Sequence, residues 1–364
     1  MTLPKISFFS HTENSFAEMV SQRLGRGLQH AGRIYSQLMR NNAIDRNDPL
    51  FKNSQRLIDE IEEQIDFTLP TLSSQREEGE TGKFLLCTHD KLFIESVRIP
   101  MQAGGTLCVS SQVGCRLGCT FCETGRMGLL RNLTPAEIVA QVYIAKHHLG
   151  FNMRNIVFMG MGEPFDNYDS VMQAVRILTD PRGLAFGKRH LTISTSGLAE
   201  GIVRFTEETG ETPNLAVSIT APDDELRNRL MPINRKHNLK ELYDVMLAYN
   251  QKTGREILVA YVLLQNVNDT RDHAERLATY LIGLSVKINV IPYNQQTRDR
   301  FSAPDSEVID AFVERLRARG YCTMRRGTKG QQIMAACGQL GNLELKRMHS
   351  AINQSSNLST DILQ

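Results

Sequence analysis

The chain has 364 residues, of which 41% are hydrophobic and 23% charged, and its formal net charge is +2. This composition is that of an ordinary globular protein, and the small net charge does not by itself indicate a nucleic-acid-binding protein. No apolar run approaches the ~18 residues of a membrane span, and the N-terminus lacks a secretory signal pattern. We therefore expect a cytoplasmic protein with reduced thiols and no membrane partner.

Residues 1–82 are predicted to form a small, mainly helical accessory domain with a linker at its end. Apolar residues recur at mixed spacings of three and four in residues 15–29, 32–41 and 55–65, which is typical of amphipathic helices. Residues 73–82 contain almost no apolar side chain and predict a linker or an exposed turn. Residues 83–104 then alternate around His89 and Asp90, which predicts a β-hairpin extension.

From residue 105 onward the chain repeats a strand, a loop and a helix. The clearest helix begins at Thr134, which can cap it, while Pro135 suits the first turn and Glu137 completes a capping box. Strands are predicted at residues 106–110, 155–159, 190–195, 214–220, 256–264, 287–292 and 321–325, and further helices at 168–179, 223–230, 239–253, 271–282 and 305–319. This alternation predicts an α/β fold with a parallel sheet, for which an open partial barrel and a flat doubly wound sheet both fit. Residues 349–364 are expected to be a disordered tail.

Four of the seven cysteines fall within residues 107–122, and three of them, Cys115, Cys119 and Cys122, form a CxxxCxxC motif. That spacing suits a loop that places three thiolates on one metal cluster and leaves a fourth position free. Structural zinc sites usually combine two separated knuckles, and no second knuckle is present in the sequence. Cysteines three and four residues apart are also poorly placed to form disulfides. The motif therefore predicts an open iron–sulfur cluster.

Polar residues and glycines follow several predicted strands at their carboxyl ends, where reactive loops lie in such folds. They occur at residues 160–164, 194–197, 218–220 and 292–294. Hydroxyls, an amide, a carboxylate and flexible glycine backbone around one mouth suit a ligand with a ribose, an amino group and a carboxylate. Within this set Glu163 can accept from a charged amine.

These residues resemble a known family. CxxxCxxC with Phe121 before its last cysteine resembles the signature of the radical S-adenosylmethionine (SAM) enzymes. The motifs Cys-Val-Ser-Ser-Gln-Val-Gly-Cys, Gly-Met-Gly-Glu-Pro, Ser-Thr-Ser-Gly and Ala-Ala-Cys-Gly-Gln-Leu are similar to those of the RlmN/Cfr RNA methyltransferases, in the right order over about residues 83–345. The resemblance implies a partial (β/α)6-type radical SAM barrel over residues 105–348, ending in a catalytic-cysteine loop.

The resemblance also implies the cofactors, a [4Fe-4S] cluster on Cys115, Cys119 and Cys122 and SAM on its open iron. The positions that match those holding SAM in the family are Gly162, Glu163, Ser194, Ser218, Ile219, Thr220 and Asn294. The family commonly has Ser-Leu-His where this chain has Ser218, Ile219 and Thr220, so Thr220 replaces a histidine. Glu123 likewise stands where a small residue is usual.

Three catalytic roles follow from the same resemblance. Cys337 matches the thiol that carries a methyl group before its transfer to adenine. Glu95 matches the general base that removes the ring proton, and Cys108 matches the second thiol, which attacks Cys337 to release the methylated base as a transient disulfide forms. Cys87 and Cys322 have no such match and are expected to be buried packing thiols.

The implied function is methylation of adenine C2 in 23S rRNA, with tRNA as a further substrate. The implied partners are RNA and a reducing electron donor such as flavodoxin, and the protein is expected to be a monomer. Three alternatives remain: adenine C8 methylation, a radical SAM enzyme acting on a non-RNA substrate, and a zinc-containing RNA-binding module without catalysis. RNA phosphates could be tracked by three basic clusters, although each alone is more often solvated surface: Arg325 and Arg326 with Lys329, residues 188–190, and Arg126 with Arg131.

Overall fold

The computed structural model describes residues 4–101, 104–208, 212–296, 300–327, 329–341 and 345. The helices are α1 (Glu13–Leu24), α2 (Leu28–Asn41), α3 (Gln55–Gln64), α4 (Glu123–Met127), α5 (Pro135–His147), α6 (Tyr168–Leu178), α7 (Ala199–Glu207), α8 (Asp224–Leu230), α9 (Leu239–Thr253), α10 (Arg271–Tyr280) and α11 (Ser306–Ala318). The strands are β1 (Ile6–Ser7), β2 (Ile65–Asp66), β3 (Thr71–Glu78), β4 (Thr81–Cys87), β5 (Phe93–Ile99), β6 (Gly105–Cys108), β7 (Gln112–Cys115), β8 (Gly128–Asn132), β9 (Met153–Phe158), β10 (Leu191–Thr195), β11 (Asn214–Ser218), β12 (Ile257–Leu263), β13 (Val286–Pro292) and β14 (Cys322–Arg325).

One ten-stranded sheet dominates the fold, in the order β14-β13-β12-β11-β10-β9-β6-β5-β4-β3. The pairs from β6 through β14 are all parallel, whereas β5, β4 and β3 add antiparallel strands at the β6 edge. Helices connect the parallel strands, because a parallel pair needs a crossover connection. Strands β9 to β13 are each followed by helix, β6 is followed by β7, α4, β8 and α5, and β14 ends the series.

The parallel strands curve into a partial barrel. Thr106 on β6 and Met324 on β14 lie on opposite flanks of the parallel strands, yet both line the same cavity. A flat sheet would hold these two strands far apart, because neighbouring strands are about 4.8 Å from each other. The predicted α/β partial barrel is therefore confirmed, and the alternative of a flat doubly wound sheet is wrong.

The sequence patterns locate most elements of the barrel correctly. All seven predicted strands occur within a few residues of their expected ends, although the fourth ends at Ser218 rather than at residue 220. The predicted capping box of α5 is also confirmed. Thr134 accepts from the Glu137 amide at 3.2 Å, and the Glu137 carboxylate accepts from the Thr134 amide at 2.9 Å.

The N-terminal helices pack against the outside of the barrel, on α5 and α6. The Tyr143 hydroxyl on α5 donates to the Leu38 carbonyl at 3.0 Å, and the Glu13 amide donates to the Asp180 carboxylate at 2.6 Å. Aromatic side chains fill the space between, with the Phe9 and Tyr143 rings 4.8 Å apart. Within the described residues, no helix is both long and apolar enough to cross a membrane.

Two stretches differ from the sequence prediction. Residues 71–78 form the edge strand β3, paired with β4, although the sequence predicts a linker or an exposed turn at residues 73–82. Its side chains are exposed. An edge strand can pair its backbone on one side while its side chains face solvent, so no apolar pattern is needed. The sequence also predicts no helix at α7, where Gly201 weakens the helical pattern. A Cβ at Gly201 would lie 2.5 Å from the Phe165 Cβ, so close packing requires glycine there.

The predicted domain boundaries at residues 82, 104 and 348 stay predictions. The hairpin expected at residues 83–104 is present as β4 and β5, paired in antiparallel register. The tail predicted at residues 349–364 lies outside the described residues.

Candidate active site

The CxxxCxxC cysteines lie on the loop between β7 and α4. Cys115 ends β7, Cys122 is the N-cap of α4, and Gly118 between them has a φ of +67°, which favours glycine. The loop is fixed to α8, because the Thr120 amide donates to the Leu230 carbonyl at 2.9 Å. The three side chains therefore project from a backbone that is held in place.

The thiols of this loop face one another in a buried setting. Burial raises the pKa of Cys119 to about 12, and the nearby Cys122 and Glu163 raise it further. Burial also raises the pKa of Cys115, with the same neighbours adding to the effect. Because cluster ligands are thiolates, cluster binding at this site must release protons.

The three cysteines supply the donor set of an iron–sulfur cluster. The charges of Cys122 and Glu163 act on both Cys115 and Cys119, so the three thiols lie near one another. Three thiolates can ligate a [4Fe-4S] cluster at three corners and leave its fourth iron free. Within the described residues, the only set of three His, Cys, Asp or Glu ligand atoms lying within 4.8 Å of one another belongs to His89, Asp90 and Glu137.

Two members of the set at His89 are already engaged by an arginine. Asp90 and Glu137 both form ion pairs with Arg131, at 2.6 and 2.8 Å. The Arg131 guanidinium accordingly holds the pKa of Asp90 well below its usual range, chiefly through a hydrogen bond. This arrangement is a structural ion-pair network.

The loop after β9 presents Glu163 to the cysteines. Gly162 has a φ of +99°, and a Cβ there would lie 2.5 Å from the Gln112 Cβ, so the loop approaches β7 as only glycine allows. The Glu163 carboxylate accepts from the Ser196 amide at 2.8 Å and from the Phe165 amide at 3.2 Å. Burial raises the pKa of Glu163 to about 7, although these amides oppose the shift. The side chain is a buried acceptor suited to a cationic amine.

The ends of β10, β11 and β13 supply the other predicted SAM positions. Ser194 lies within β10, Ser218 ends β11 and Asn294 follows β13. Thr220 is fully buried with a φ of +57°, and Ile219 before it is also buried.

Two buried polar atoms at these strand ends are unsatisfied. Within the described residues, neither the Thr220 Oγ1 nor the Asn294 Oδ1 has a hydrogen-bond partner. Buried polar atoms usually have hydrogen-bond partners, so each of these unpaired atoms indicates a hydrogen bond to a bound group outside the chain. A ligand with ribose hydroxyls and an amino group fits these atoms, which supports SAM as the group bound here.

Arg227 on α8 joins these strand ends together. Its side chain is fully buried, and it donates to the carbonyls of Ser196, Ser218 and Ile219 at 2.8, 3.0 and 3.2 Å. Its remaining bond goes to the Asn234 Oδ1 at 2.9 Å. Burial lowers the pKa of Arg227 to about 10. The guanidinium thus fixes the backbone that carries two of the predicted SAM positions.

Cys108 and Cys337 line one cavity of about 450 Å³ inside the barrel. Cys108 ends β6 and is buried, whereas Cys337 lies on the loop of residues 329–341, here called the Cys337 loop, and is half-buried. Burial raises the pKa of Cys108 to about 12, Cys337 raises it further, and Arg326 opposes the shift. The structure therefore brings together two thiols that are far apart in the sequence.

The Cys337 loop is tied to the cluster side of the site. The Glu123 amide donates to the Gly338 carbonyl at 2.8 Å, and the Thr124 hydroxyl donates to the Leu340 carbonyl at 2.6 Å. Glu123 contributes here through its backbone and is buried. The loop that carries Cys115, Cys119 and Cys122 and the Cys337 loop therefore form one packed unit.

Glu95 lies beneath the Cys337 loop and outside the lining of the cavity, as far as the described residues show. It is buried on β5, its Oε1 is 2.9 Å from the Lys83 Nζ, and its Oε2 accepts from the Gly341 amide at 2.8 Å. The structure thus places the expected base against the loop that carries Cys337, with its carboxylate already engaged.

The three basic clusters are separated by the fold. Arg325, Arg326 and Lys329 line the cavity. Residues 188–190 precede β10 and so lie at the opposite, amino end of the strands. Arg131 is engaged with Asp90 and Glu137 as described above. Arg325, Arg326 and Lys329 therefore adjoin the two thiols, although Arg325 also pairs with Asp310 at 2.7 Å.

Sequence reasoning did not identify Lys83 or Arg227 as site residues. Lys83 is a charged residue at a position of β4 whose side chain is buried. A lysine within a largely hydrophobic strand pattern was the signal that could have identified it. Arg227 lies on a short helix beside exposed charged residues such as Asp224, Glu225 and Arg229, and nothing in that pattern separates a buried arginine from a solvated one.

Comparisons with known proteins agree with this geometry. Residues 109–281 match the model of the Radical SAM superfamily. A probable dual-specificity RNA methyltransferase RlmN 1 of Protochlamydia amoebophila is 56% identical over 347 residues, which cover 95% of this chain and 97% of that protein. A dual-specificity RNA methyltransferase RlmN of Halorhodospira halophila is 42% identical over 80% of this chain and 82% of that protein. The crystal structure of a radical SAM methyltransferase from Sphaerobacter thermophilus superposes with a TM-score of 0.85 at 40% identity, over 92% of this chain and 98% of that one.

Proposed function

The chain belongs to the RlmN family of radical SAM RNA methyltransferases, and from this premise we propose that it methylates C2 of an adenine in 23S rRNA, and in tRNA, through a methyl group carried on Cys337. The observation that carries the proposal is the meeting of Cys108 and Cys337 in one cavity beside the predicted SAM positions. Two thiols near each other are what a reaction needs if one carries the methyl group and the other releases the product.

The cofactors of the family are a [4Fe-4S] cluster and SAM. When bound, they supply one-electron cleavage of SAM and a carbon-centred radical able to remove hydrogen from a methyl group. Cys115, Cys119 and Cys122 hold the cluster in this proposal. Glu163 accepts from the amino group of SAM, while the unsatisfied Thr220 and Asn294 oxygens receive further SAM donors.

Cys337 holds the methyl group as a thioether, because C2 of adenine is electron-poor and cannot attack a methyl sulfonium itself. After hydrogen is removed from that methyl group, the carbon bonds to C2 and links Cys337 to the RNA. The cluster that Cys115, Cys119 and Cys122 would hold could accept the one electron that the adduct has to lose. Glu95 takes the C2 proton, which leaves a neutral thioether between Cys337 and the adenine.

Cys108 completes the reaction by attacking the sulfur of Cys337. The sulfur–sulfur bond forms as the carbon–sulfur bond breaks, and the electron pair goes to the methylene carbon, which gains a proton to become the methyl group. The products are methyladenosine and a Cys108–Cys337 disulfide, so two electrons from a thiol reductant restore the enzyme. Burial raises the pKa of Cys108, so its thiolate must be generated at this step.

We propose that the protein acts in the cytoplasm as a monomer and receives electrons from a reductant such as flavodoxin. Adenine must leave its RNA stack to reach the cavity, at a free-energy cost of roughly a few kcal/mol. Arg325, Arg326 and Lys329 supply positive charge where the RNA backbone would pass.

The test is mass spectrometry of nucleosides from rRNA and tRNA treated with anaerobically reconstituted enzyme and SAM. We expect 2-methyladenosine. A product of 8-methyladenosine would move the assignment to the C8 reaction, and an absence of any methyladenosine would overturn both assignments. Metal analysis of the same preparation, with zinc and no iron or sulfide, would favour the non-catalytic RNA-binding module.

A further inference from the structure

A buried ion pair between Lys83 and Glu95 connects the β4–β5 hairpin to both sides of Cys337. The Lys83 Nζ lies 2.9 Å from the Glu95 Oε1 and also donates to the Met334 carbonyl at 3.1 Å. The other carboxylate oxygen, Oε2, accepts from the Gly341 amide at 2.8 Å. Met334 precedes Cys337 and Gly341 follows it, so the pair holds the Cys337 loop at two points.

The strand register places the two side chains on one face of the hairpin. Leu85 pairs with Glu95 and Lys83 pairs with Val97, so Lys83 and Glu95 are diagonal neighbours across β4 and β5. Both side chains are almost fully buried, at 7% and 6% exposure. Diagonal neighbours on one face are within reach of long side chains.

Apolar residues neighbour the pair on the hairpin and on the Cys337 loop. Val97, Ala335 and Leu340 are among the buried residues that form this small cluster under the Cys337 loop. Replacing a buried ion pair by well-packed hydrophobic residues is often neutral or stabilising, so stability alone gives little reason for a lysine at this position. A role in placing the carboxylate gives a better one.

We propose that Lys83 is a positioning residue for the release half of the reaction, and this inference rests on the function proposed above. Its ammonium fixes the orientation of the Glu95 carboxylate and anchors that carboxylate to the Cys337 loop, where the C2 proton has to be collected. The contribution of Lys83 is therefore to the placement of the carboxylate.

The proposal separates two steps of the reaction. Methylation of Cys337 needs no general base on the RNA, and the Cys337 loop keeps its bonds to Asn294 and to the Glu123 amide without Lys83. Release of the RNA adduct does need Glu95. Loss of Lys83 should therefore slow adduct release far more than it slows methylation of Cys337.

The experiment compares Lys83→Met and Lys83→Arg with wild-type holoenzyme, and uses Lys91→Met as a matched control because Lys91 is exposed on the turn of the same hairpin. Methylation of Cys337 is followed by mass spectrometry of the protein, and the RNA adduct is followed on denaturing gels with labelled RNA. We expect Lys83→Met to methylate Cys337 at a rate close to that of wild type and to release the adduct at least about tenfold more slowly. Lys83→Arg should recover most of the release rate, because it restores the charge and the donors.

A double variant covers the case in which Lys83→Met is unstable. Lys83→Met with Glu95→Gln removes both charges, so no unpaired buried charge remains. If Lys83 acts through Glu95, the double variant releases the adduct no more slowly than Glu95→Gln alone. Slower release by the double variant, or release at the wild-type rate by Lys83→Met, would overturn the proposal. Failure of the wild-type enzyme to methylate adenine at all would instead overturn the proposed function.

Discussion

The Asn294 side chain donates a hydrogen bond from Nδ2 to the Cys337 carbonyl at 3.0 Å. Asn294 follows β13 at the barrel mouth, while Cys337 lies on the C-terminal loop. Its other side-chain atom, Oδ1, is buried and has no partner within the described residues. The Asn294 amide therefore binds the backbone of the proposed methyl carrier through Nδ2. Its Oδ1 is left to accept a hydrogen bond from SAM in the proposed site.

Replacing Asn294 by Ala should weaken SAM binding and also slow methylation of Cys337. A lost hydrogen bond to a buried group amounts to about 1–3 kcal/mol, which corresponds to roughly 5- to 150-fold in affinity. Equilibrium binding of SAM to the reconstituted protein and the rate of Cys337 methylation measure the two effects. Asn47→Ala, at an exposed position on the N-terminal helical unit, is the control. Unchanged SAM affinity in Asn294→Ala would remove Asn294 from the SAM site.

The two cavity thiols should fail at different steps when each is replaced. Cys337→Ala leaves no sulfur to carry the methyl group, so neither a methylated protein nor an RNA adduct should form. Cys108→Ala should form the adduct and then retain it, because no thiolate attacks the Cys337 sulfur. Denaturing gels with labelled RNA distinguish the two outcomes. Cys322→Ala is a matched control, since Cys322 is exposed, so the expectation of a buried packing thiol is wrong for it, and it lies outside the cavity lining. Prompt turnover by Cys108→Ala would refute its resolving role.

The architecture and the cysteine loop could be read from the sequence because they depend on local patterns. Alternation of apolar residues locates β9 to β13, and the spacing of Cys115, Cys119 and Cys122 alone indicates an open cluster. The edge strand β3 was not predicted because its side chains are exposed and show no apolar alternation. Its pairing with a neighbouring strand is made by the backbone, which the sequence pattern does not reveal.

The long-range part of the site needed the structure. Without the family resemblance, no local signal joins Cys108 to Cys337, since tertiary packing alone brings the C-terminal loop over β6. Lys83 was missed for the same reason: its partners Glu95 and Met334 come from another strand and from a distant loop. Buried ion pairs follow from the three-dimensional neighbourhood, which a strand pattern does not encode.

The stability of the metal-free protein should depend on pH through Glu163. Burial raises the pKa of this carboxyl from 4.5 to about 7, so the folded state holds the proton more tightly than the unfolded state does. The stabilisation is fully present below about pH 4.5 and is lost as the pH rises through about 7. Glu163→Gln should remove this dependence and leave the metal-free protein about 1–3 kcal/mol more stable than wild type at pH 8. Thermal unfolding between pH 5 and pH 8 measures the effect, with Glu207→Gln, at an exposed position, as the control. Parallel pH curves for wild type and Glu163→Gln would contradict the prediction.

The buried guanidinium of Arg227 should be required both for stability and for the SAM site. Arg227→Met leaves the Ser196, Ser218 and Ile219 carbonyls without their donor, so we expect a loss of about 3 kcal/mol or more in the free energy of unfolding. Arg227→Lys keeps the charge but cannot supply the planar set of donors, and it should recover only part of that loss. Denaturant unfolding of the metal-free protein gives the stability, and SAM affinity of the reconstituted protein gives the effect on the site. Arg229→Met is the matched control, because Arg229 lies on the same helix and is exposed. If Arg227→Met and Arg229→Met unfold alike, the buried guanidinium does not hold the strand ends.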